Sequence, residues 1–594
     1  MLQADNIAYS MSAVRGIDDV AEKVDEVDKD TCHTVVLLNC GATEDLLEKL
    51  RLLDDPELEH MQVLVMDSHR PFHLYNVYAD GEGKDGEFIE AGDFEKGRVL
   101  LIHDPEMDEE GIPDNETMIA ANLEEDDEEE DEEELDLDES PVQRRRVGDD
   151  GESVAVVGGG DDDRAQRREQ KEKREQARNV VYEYYNASSR GPATAMMLME
   201  LSNRRVNKLN PATLWWAILG VTEQLVNDDV DENFYDRVMQ VLTDEAIALS
   251  TVRAGNNELG GSMITTYDEF RFYLLDHWNL YESMFYSNYV AAKLELWKDR
   301  SGQNRLHTLL AKAGIPKEQA SQKYLHMKDA LKIRLTQKFN ESEELRQEFK
   351  LDKICLQAFR KERKGRTPIS ATHCVHICNA MLCLRPDEDE KWTDAFNRAS
   401  DAIWKSANRE QEWDDLIAEK GEQNVVQWAI DLRKAVQEKA FSICQDKAFQ
   451  KLHHFTASSF TAGHDSQILL HPAALTKLAL HVLELDRKKY EDRRRASGGS
   501  KPIPSSHSRW VLGVENDDDK SVLVVGVHAS SELGFKERNR FGKLFRDAVE
   551  FGIPEVTVEP VVQAFDSNVV RITHGKFSDF VEYLNTQLTA SHAM

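Results

Sequence analysis

The chain opens with short, wholly apolar runs set between stretches of helical period. Thr34-Val35-Val36-Leu37-Leu38 leads into Asn39-Cys40-Gly41, after which Leu46, Leu47 and Leu50 recur at helical spacing. Gln62-Val63-Leu64-Val65-Met66 ends at Asp67-Ser68-His69-Arg70-Pro71, and Arg98-Val99-Leu100-Leu101-Ile102 follows a glycine-rich turn. Runs of this length, separated by helical pattern, predict a parallel sheet buried on both faces. Open sheets of that kind bind ligands beyond the carboxyl ends of their strands, which draws attention to residues 39–41 and 67–70.

Past Val180 the period becomes helical. Leu214-Trp215-Trp216-Ala217-Ile218-Leu219-Gly220 is apolar all round and predicts a helix buried on most sides. Amphipathic helices are predicted over about 267–298, 304–313 and 317–338, with more to about 446, one carrying Trp404 and one Trp413. The mixed pattern then returns. Gln467–Leu470, Arg509–Gly513, Ser521–Val527 and Val569–Ile572 read as strands. Pro472–Leu485 and Lys536–Phe551 read as helices, and Arg487–Pro504 as a basic, Ser/Gly-rich loop. The expected organisation is a first α/β part over 1–121, a linker over 122–179 and a helical completion of the first part over 180–228. An all-α domain over 229–452 and a C-terminal α/β domain over 453–594 follow.

Composition narrows the class. A length of 594 residues is too great for one ordinary core. No apolar run is long enough to span a bilayer, and Met1-Leu2-Gln3-Ala4-Asp5 does not open a secretory signal. Seven cysteines over this length make no disulfide framework and fit a reducing compartment. The net charge of −38 is uneven, because 14 of the 16 residues from Glu124 to Glu139 are acidic. That run and Gly158-Gly159-Gly160 predict failing order from 122 to 163, followed by a basic helical stretch, Arg164–Arg178. An acidic chain gains little from phosphates in general, so protein partners are favoured over bulk DNA coating.

Asn39-Cys40-Gly41-Ala42, Asp67-Ser68-His69-Arg70-Pro71 and Tyr75-Asn76-Val77-Tyr78 together resemble the cell division cycle protein 45 family. The resemblance continues through Leu214–Gln224, His277-Trp278-Asn279-Leu280, Leu310–Pro316 and Asn539–Phe545, in order and over nearly the whole chain. It implies a RecJ/DHH-like core split by the helical insertion, with a C-terminal domain of the type that accompanies DHH domains. It also implies a nuclear replication factor that acts with the MCM ring, the GINS complex and fork proteins such as DNA polymerases. A single-stranded DNA contact is implied as secondary. The sequence start aligns inside or after the helix that follows the family's first strand, so that strand and its Ser-Asp-x-Asp turn are expected to be missing. A shorter isoform or a misplaced gene start would produce this.

Active DHH phosphoesterases bind two metal ions at such strand ends to activate water. In this sequence Asn39 stands where they carry Asp, and Asp67-Ser68-His69 where they carry Asp-His-His. Glu223-Gln224 stands in place of a later Asp. Asn39, Asp67, His69 and Glu223 are therefore expected to be vestiges, with no metal, no cofactor and no catalysis. The rival readings are a metal-dependent single-strand phosphoesterase and an acidic chromatin-binding adaptor.

Other motifs take plainer readings. His373-Cys374-Val375-His376-Ile377-Cys378 with Cys383 has enough soft ligands for zinc, but its interleaved apolar residues predict a buried helix. Trp215 and Trp216 are read as core rather than as base-stacking platforms, and His453-His454 as packing. Arg144-Arg145-Arg146, Arg164–Arg178 and Lys488–Arg495 are import or DNA-facing clusters, or simply solvated faces. Gly158–Gly160 lacks the Lys-Ser/Thr of a phosphate loop.

Overall fold

The computed structural model describes residues 6–78, 98–103, 111–122, 160–255, 262–383, 392–496, 503–529, 538–561 and 565–591, apart from a few short breaks within them. The acidic run, Arg144–Arg146 and Gly158-Gly159 lie outside the described residues. Among the described residues, no helix is long and apolar enough to cross a membrane.

Strands β1 (Thr34–Leu38), β2 (Gln62–Met66) and β4 (Val99–Leu101) form a parallel sheet in the order β1-β2-β4. The helix Ile17–Asp25 buries Val20 and Val24 in one cluster with Leu37, Val63, Val65 and Val99. The opposite face is closed over Met66 and Leu100 but open at β1, where Val36 and Leu38 are 42% and 47% exposed. Burial on both faces therefore fails at the edge strand. An apolar run has the same composition at an edge as in the centre, so periodicity alone does not separate the two.

Between β2 and the next segment, β3 (His69–Arg70) pairs antiparallel with β5 (Ser189–Arg190). The helix Gly160–Tyr185 leads into β5. Residue 180, the expected boundary, lies within that helix, whose side chains from 168 to 176 are mostly in solvent. Its last turn is anchored: Tyr184 is buried and its hydroxyl donates to the Phe72 carbonyl at 2.9 Å.

The helix Pro211–Val226 is the buried element its sequence predicts. The Asn210 side chain accepts the Ala212 and Thr213 amides, and Pro211 occupies the first turn where no amide partner is needed. Trp215 is fully buried with its indole N–H on Ser406 Oγ at 3.0 Å, a core role.

The middle region is not all-α. Strands β6 (Met263–Phe270), β7 (Cys355–Glu362) and β8 (Ile369–Ser370) form an antiparallel sheet within it. The helix expected from 267 therefore begins as a strand. Met263-Ile264-Thr265-Thr266-Tyr267 is rich in β-branched and aromatic residues, but the aromatic cluster after it also matches helical spacing. The stretch 317–338 is likewise broken, into helices Lys317–Ala320 and Asp329–Glu341 with a tight turn at Tyr324–His326.

The C-terminal sheet has six strands: β9 (Gln450–Lys451), β10 (Thr456–Thr461), β11 (Arg509–Asn516), β12 (Ser521–His528), β13 (Val558–Pro560) and β14 (Val569–Thr573). Their order is β13-β14-β12-β11-β10-β9, with only β10–β11 parallel. Gln467–Leu470, expected as a strand, lies in a tight helical turn, His464–Leu470, opened by the Gly463 amide on Ser466 Oγ at 2.8 Å. The helix from Pro472 continues to Ala496, into the first part of the expected loop. Pairs at helical spacing, Arg487–Glu491 and Lys488–Asp492, sustain the extension.

One hydrophobic cluster joins the helical body to the C-terminal sheet. Trp215, Ile377, Val436, Leu478, Trp510 and Val525 all belong to it. The other face of that sheet buries Phe455, Val511, Val524, Phe541 and Phe580 beneath the helices Phe541–Phe551 and Phe577–Ser591.

Candidate functional site

The site expected from sequence is the loop after β2. β1 ends in Asn39, held in the left-handed region (φ 57°), which asparagine tolerates better than most residues. Its amide donates to the Met66 carbonyl at 2.8 Å, so the two strand ends stay in register. The Asn39 side-chain oxygen accepts the Ser68 hydroxyl at 2.7 Å and the Thr194 hydroxyl at 3.1 Å. A neutral amide suits this place, because it binds two hydroxyls without adding a second negative charge beside Asp67.

Asp67 is buried, and its own loop and the loop after β1 surround it with donors. Oδ2 accepts the Ala42 amide at 3.0 Å; Oδ1 accepts the His69 amide at 3.1 Å and pairs with His69 Nδ1 at 2.5 Å. Burial alone would raise its pKa. The charge and hydrogen bond of His69 and the two amides outweigh burial and hold it at about 2. Arg70 is buried and donates to the Asp67 and His69 carbonyls at 2.9 and 2.8 Å, with its guanidinium 3.9 Å from the Phe72 ring centroid. The Gly191 amide donates to the Ser68 carbonyl at 2.7 Å, and Gln224 Nε2 to the Gly191 carbonyl at 3.0 Å.

Asn39, Asp67 and His69 are thus brought together, while Glu223 is turned elsewhere. Its Oε1 accepts from Asn227, whose own oxygen accepts from Lys477 and Asn379. Gln224, its neighbour in sequence, makes the connection to the loop. Gly220 permits this approach, since a Cβ there would stand 3.0 Å from Ala195 Cβ. Thr194 and Gly191 were missed by sequence reasoning, and Gln224, named with Glu223 as the replacement of a later Asp, is the one of the two that reaches the loop.

The loop opens onto a cleft of about 250 Å³ lined by His69, Arg190, Asp229, His528, Asn539 and Arg546. The C-terminal part is fastened across it: Ser188 and Asn539 exchange backbone hydrogen bonds at 2.9 and 2.8 Å. Gly542 is needed there, because a Cβ would stand 2.4 Å from Ser567 Oγ.

The chemistry of this arrangement is limited. The carboxylate and imidazole that could serve as ligands are bonded to each other. Among the described residues, no group of three or more His, Cys, Asp and Glu side chains is placed to hold a metal ion.

The family model for CDC45 matches residues 1–587. The chain belongs to the CDC45 family. The cell division control protein 45 homologue of Schizosaccharomyces pombe is 26% identical over 622 residues, covering 98% of this chain and 92% of the relative. The human cell division control protein 45 homologue is also 26% identical, covering 99% and 93%. The crystal structure of CDC45 from Entamoeba histolytica superposes with a TM-score of 0.61 at 18% identity, covering 99% of this chain and 91% of that one, a likeness of fold. The relatives carry the name of cell division control factors, and none of these names is that of an enzyme.

The other sequence candidates sit apart from the CDC45 loop. His373, Cys374, Cys378 and Cys383 lie buried on the helix Ala371–Cys383. A hydrogen bond with Cys374, then burial, raises the Cys378 thiol, and burial raises Cys383 to about 11. These thiols are therefore neutral packing groups at physiological pH. His453 and His454 contact each other, and buried His454 also meets Thr589 Oγ at 3.3 Å.

Proposed function

We propose that this CDC45-family chain is a non-catalytic scaffold and activator of the eukaryotic replicative DNA helicase. It joins the MCM ring with the GINS complex in the nucleus, for replication initiation and fork progression. The observation that carries this reading is the match to the family model across residues 1–587. The hydrogen bonds that occupy Asp67 support the non-catalytic part, since both carboxylate oxygens already serve the loop. The first sheet, the cleft and the C-terminal sheet correspond in this reading to a RecJ/DHH-like domain and its accompanying domain. In this reading the domains are 1–121 and 180–228, the linker 122–179, the insertion 229–452 and the C-terminal 453–594, with the helix Gly160–Tyr185 running across the boundary at 180. Single-stranded DNA contact is secondary and lies in the cleft, where Arg190 and Arg546 suit phosphate oxygens.

The test is co-purification of the full chain with purified MCM and GINS, beside a manganese-dependent nuclease assay on single-stranded DNA. Stable co-purification without cleavage is expected. Cleavage that disappears in Asp67→Ala would overturn the non-catalytic reading, and failure to bind either partner would overturn the scaffold.

A further inference from the structure

A second cavity, of about 540 Å³, lies between the helices Asn288–Leu294, Ala371–Cys383, Val425–Asp446 and Pro472–Ala496. Three of its cations make no ion pair among the described residues. Arg433 is buried, and its Nε donates to the Tyr286 carbonyl at 2.6 Å and an Nη to Gln437 Oε1 at 2.9 Å. Lys293 is half-buried over the Tyr289 ring, 5.4 Å from its centroid. Lys477 donates to the neutral side chain of Asn227. None of the three has a carboxylate oxygen within 4 Å among the described residues.

The wall also carries Asp228, Asp231, Glu232, Glu269, Glu484 and Glu491, and among the described residues none of them makes an ion pair with these three cations. Arg271–Glu232 at 2.7 Å, Arg487–Glu491 at 3.2 Å and Lys488–Asp492 at 3.5 Å are paired among themselves. Glu484 faces the cavity, and among the described residues it makes no hydrogen bond or ion pair. Burial first, and Asp228 second, raise it to about 7 against the opposing charges of Arg433, Lys293 and Arg271, so near neutral pH it is only partly charged. His376, on the opposite wall, is held neutral by burial and by Lys477, His373 and Arg433.

Cations drawn partly out of water with no carboxylate in direct contact favour an anion that reaches them, and charge-assisted hydrogen bonds to it are the strong kind. Leu225, Phe272, Leu432 and Leu483 supply apolar wall beside them. The volume falls in the range of small-molecule sites, and an apolar wall with few convergent polar groups is their usual make-up. We propose that this cavity binds a small organic anion, a phosphate or carboxylate carried on an apolar or aromatic body. The anionic group rests on Arg433, Lys293 and Lys477.

The test is calorimetric titration of the full chain with phenyl phosphate, benzoate and inorganic phosphate at pH 6.5 and 8. Saturable binding of phenyl phosphate or benzoate at one site is expected, with inorganic phosphate about tenfold weaker, and the aromatic anion preferred identifies the headgroup. Lys293→Ala should weaken binding roughly tenfold, and Glu484→Gln should tighten it at pH 8 and flatten its pH dependence. Arg546→Ala, in the neighbouring cleft, should leave it unchanged. No saturable binding by any of the three probes would overturn the proposal. So would binding that Lys293→Ala and Glu484→Gln leave unaltered, or that Arg546→Ala alone removes.

Discussion

Two buried polar clusters in this chain handle charge in opposite ways. At the end of β2, Asp67 is met by two backbone amides and an imidazole, and its pKa falls to about 2. In the seam between the helical body and the C-terminal sheet, Arg433 is met by a carbonyl and an amide, while Glu484 rises to about 7 with no bonded partner. The difference follows from where the donors come from. Two neighbouring strand-end loops can each turn an amide, Ala42 and His69, onto one carboxylate. Groups on four separate helices are positioned by packing, and packing leaves their charges apart.

The largest effect should come from Asp67→Ala. It strands two amides and the His69 imidazole in a buried site, and urea unfolding should show a loss of roughly 3–5 kcal/mol. A loss under about 1 kcal/mol would mean that the cluster does not hold the strand ends together. Glu484→Gln should act in the other direction. The folded pKa lies above the ordinary value of 4.5, so the cost of charging Glu484 is absent below that pH and complete above about 7. The variant should therefore gain up to about 3 kcal/mol at pH 8 and nothing at pH 4.5, read from paired denaturation curves.

Asp67 has the reverse sign. Its folded pKa is depressed from 3.8 to about 2, so its contribution is present above about pH 4 and is lost as pH falls through 2. The stability gap between the native chain and Asp67→Asn should be about 2 kcal/mol at pH 6 and should close towards pH 2. The smallest effect is Asn39→Ala, which keeps a left-handed backbone without the amide that tolerates it and removes the acceptor for Ser68 and Thr194. About 1 kcal/mol is expected, with buried Ser68 losing its acceptor and Thr194 left with the Met66 carbonyl. A neutral result would place the loop's order in Asp67 alone.

How legible these clusters were depends on the range of the contacts that build them. Asn39, Asp67 and His69 stand at strand ends that apolar runs mark clearly, and the structure brings them together. Glu223 shared that motif by spacing, yet one helical position separates it from Gln224, the side chain that reaches the loop. β6 and β7 were read as helix or passed over because their partners lie about ninety residues apart and each is only half-buried. The exposed face at β1 was equally invisible, since Val36 and Leu38 are as apolar as any central strand. The cavity around Arg433 could not be read: helices far apart in the sequence line it, and the one motif among them, His373–Cys378, was read as a zinc pattern on a buried helix rather than as a cavity wall.

The continuous core between the helical body and the C-terminal sheet has a mechanical consequence. Trp215 and Val436 on one side and Trp510 and Val525 on the other share one cluster, so no lubricated hinge lies between them. Tension applied at β14 passes through its pairing with β12 to the helix Pro472–Ala496 packed on that sheet. A peptide bond cut near residue 452 would leave each fragment with an unfinished interior.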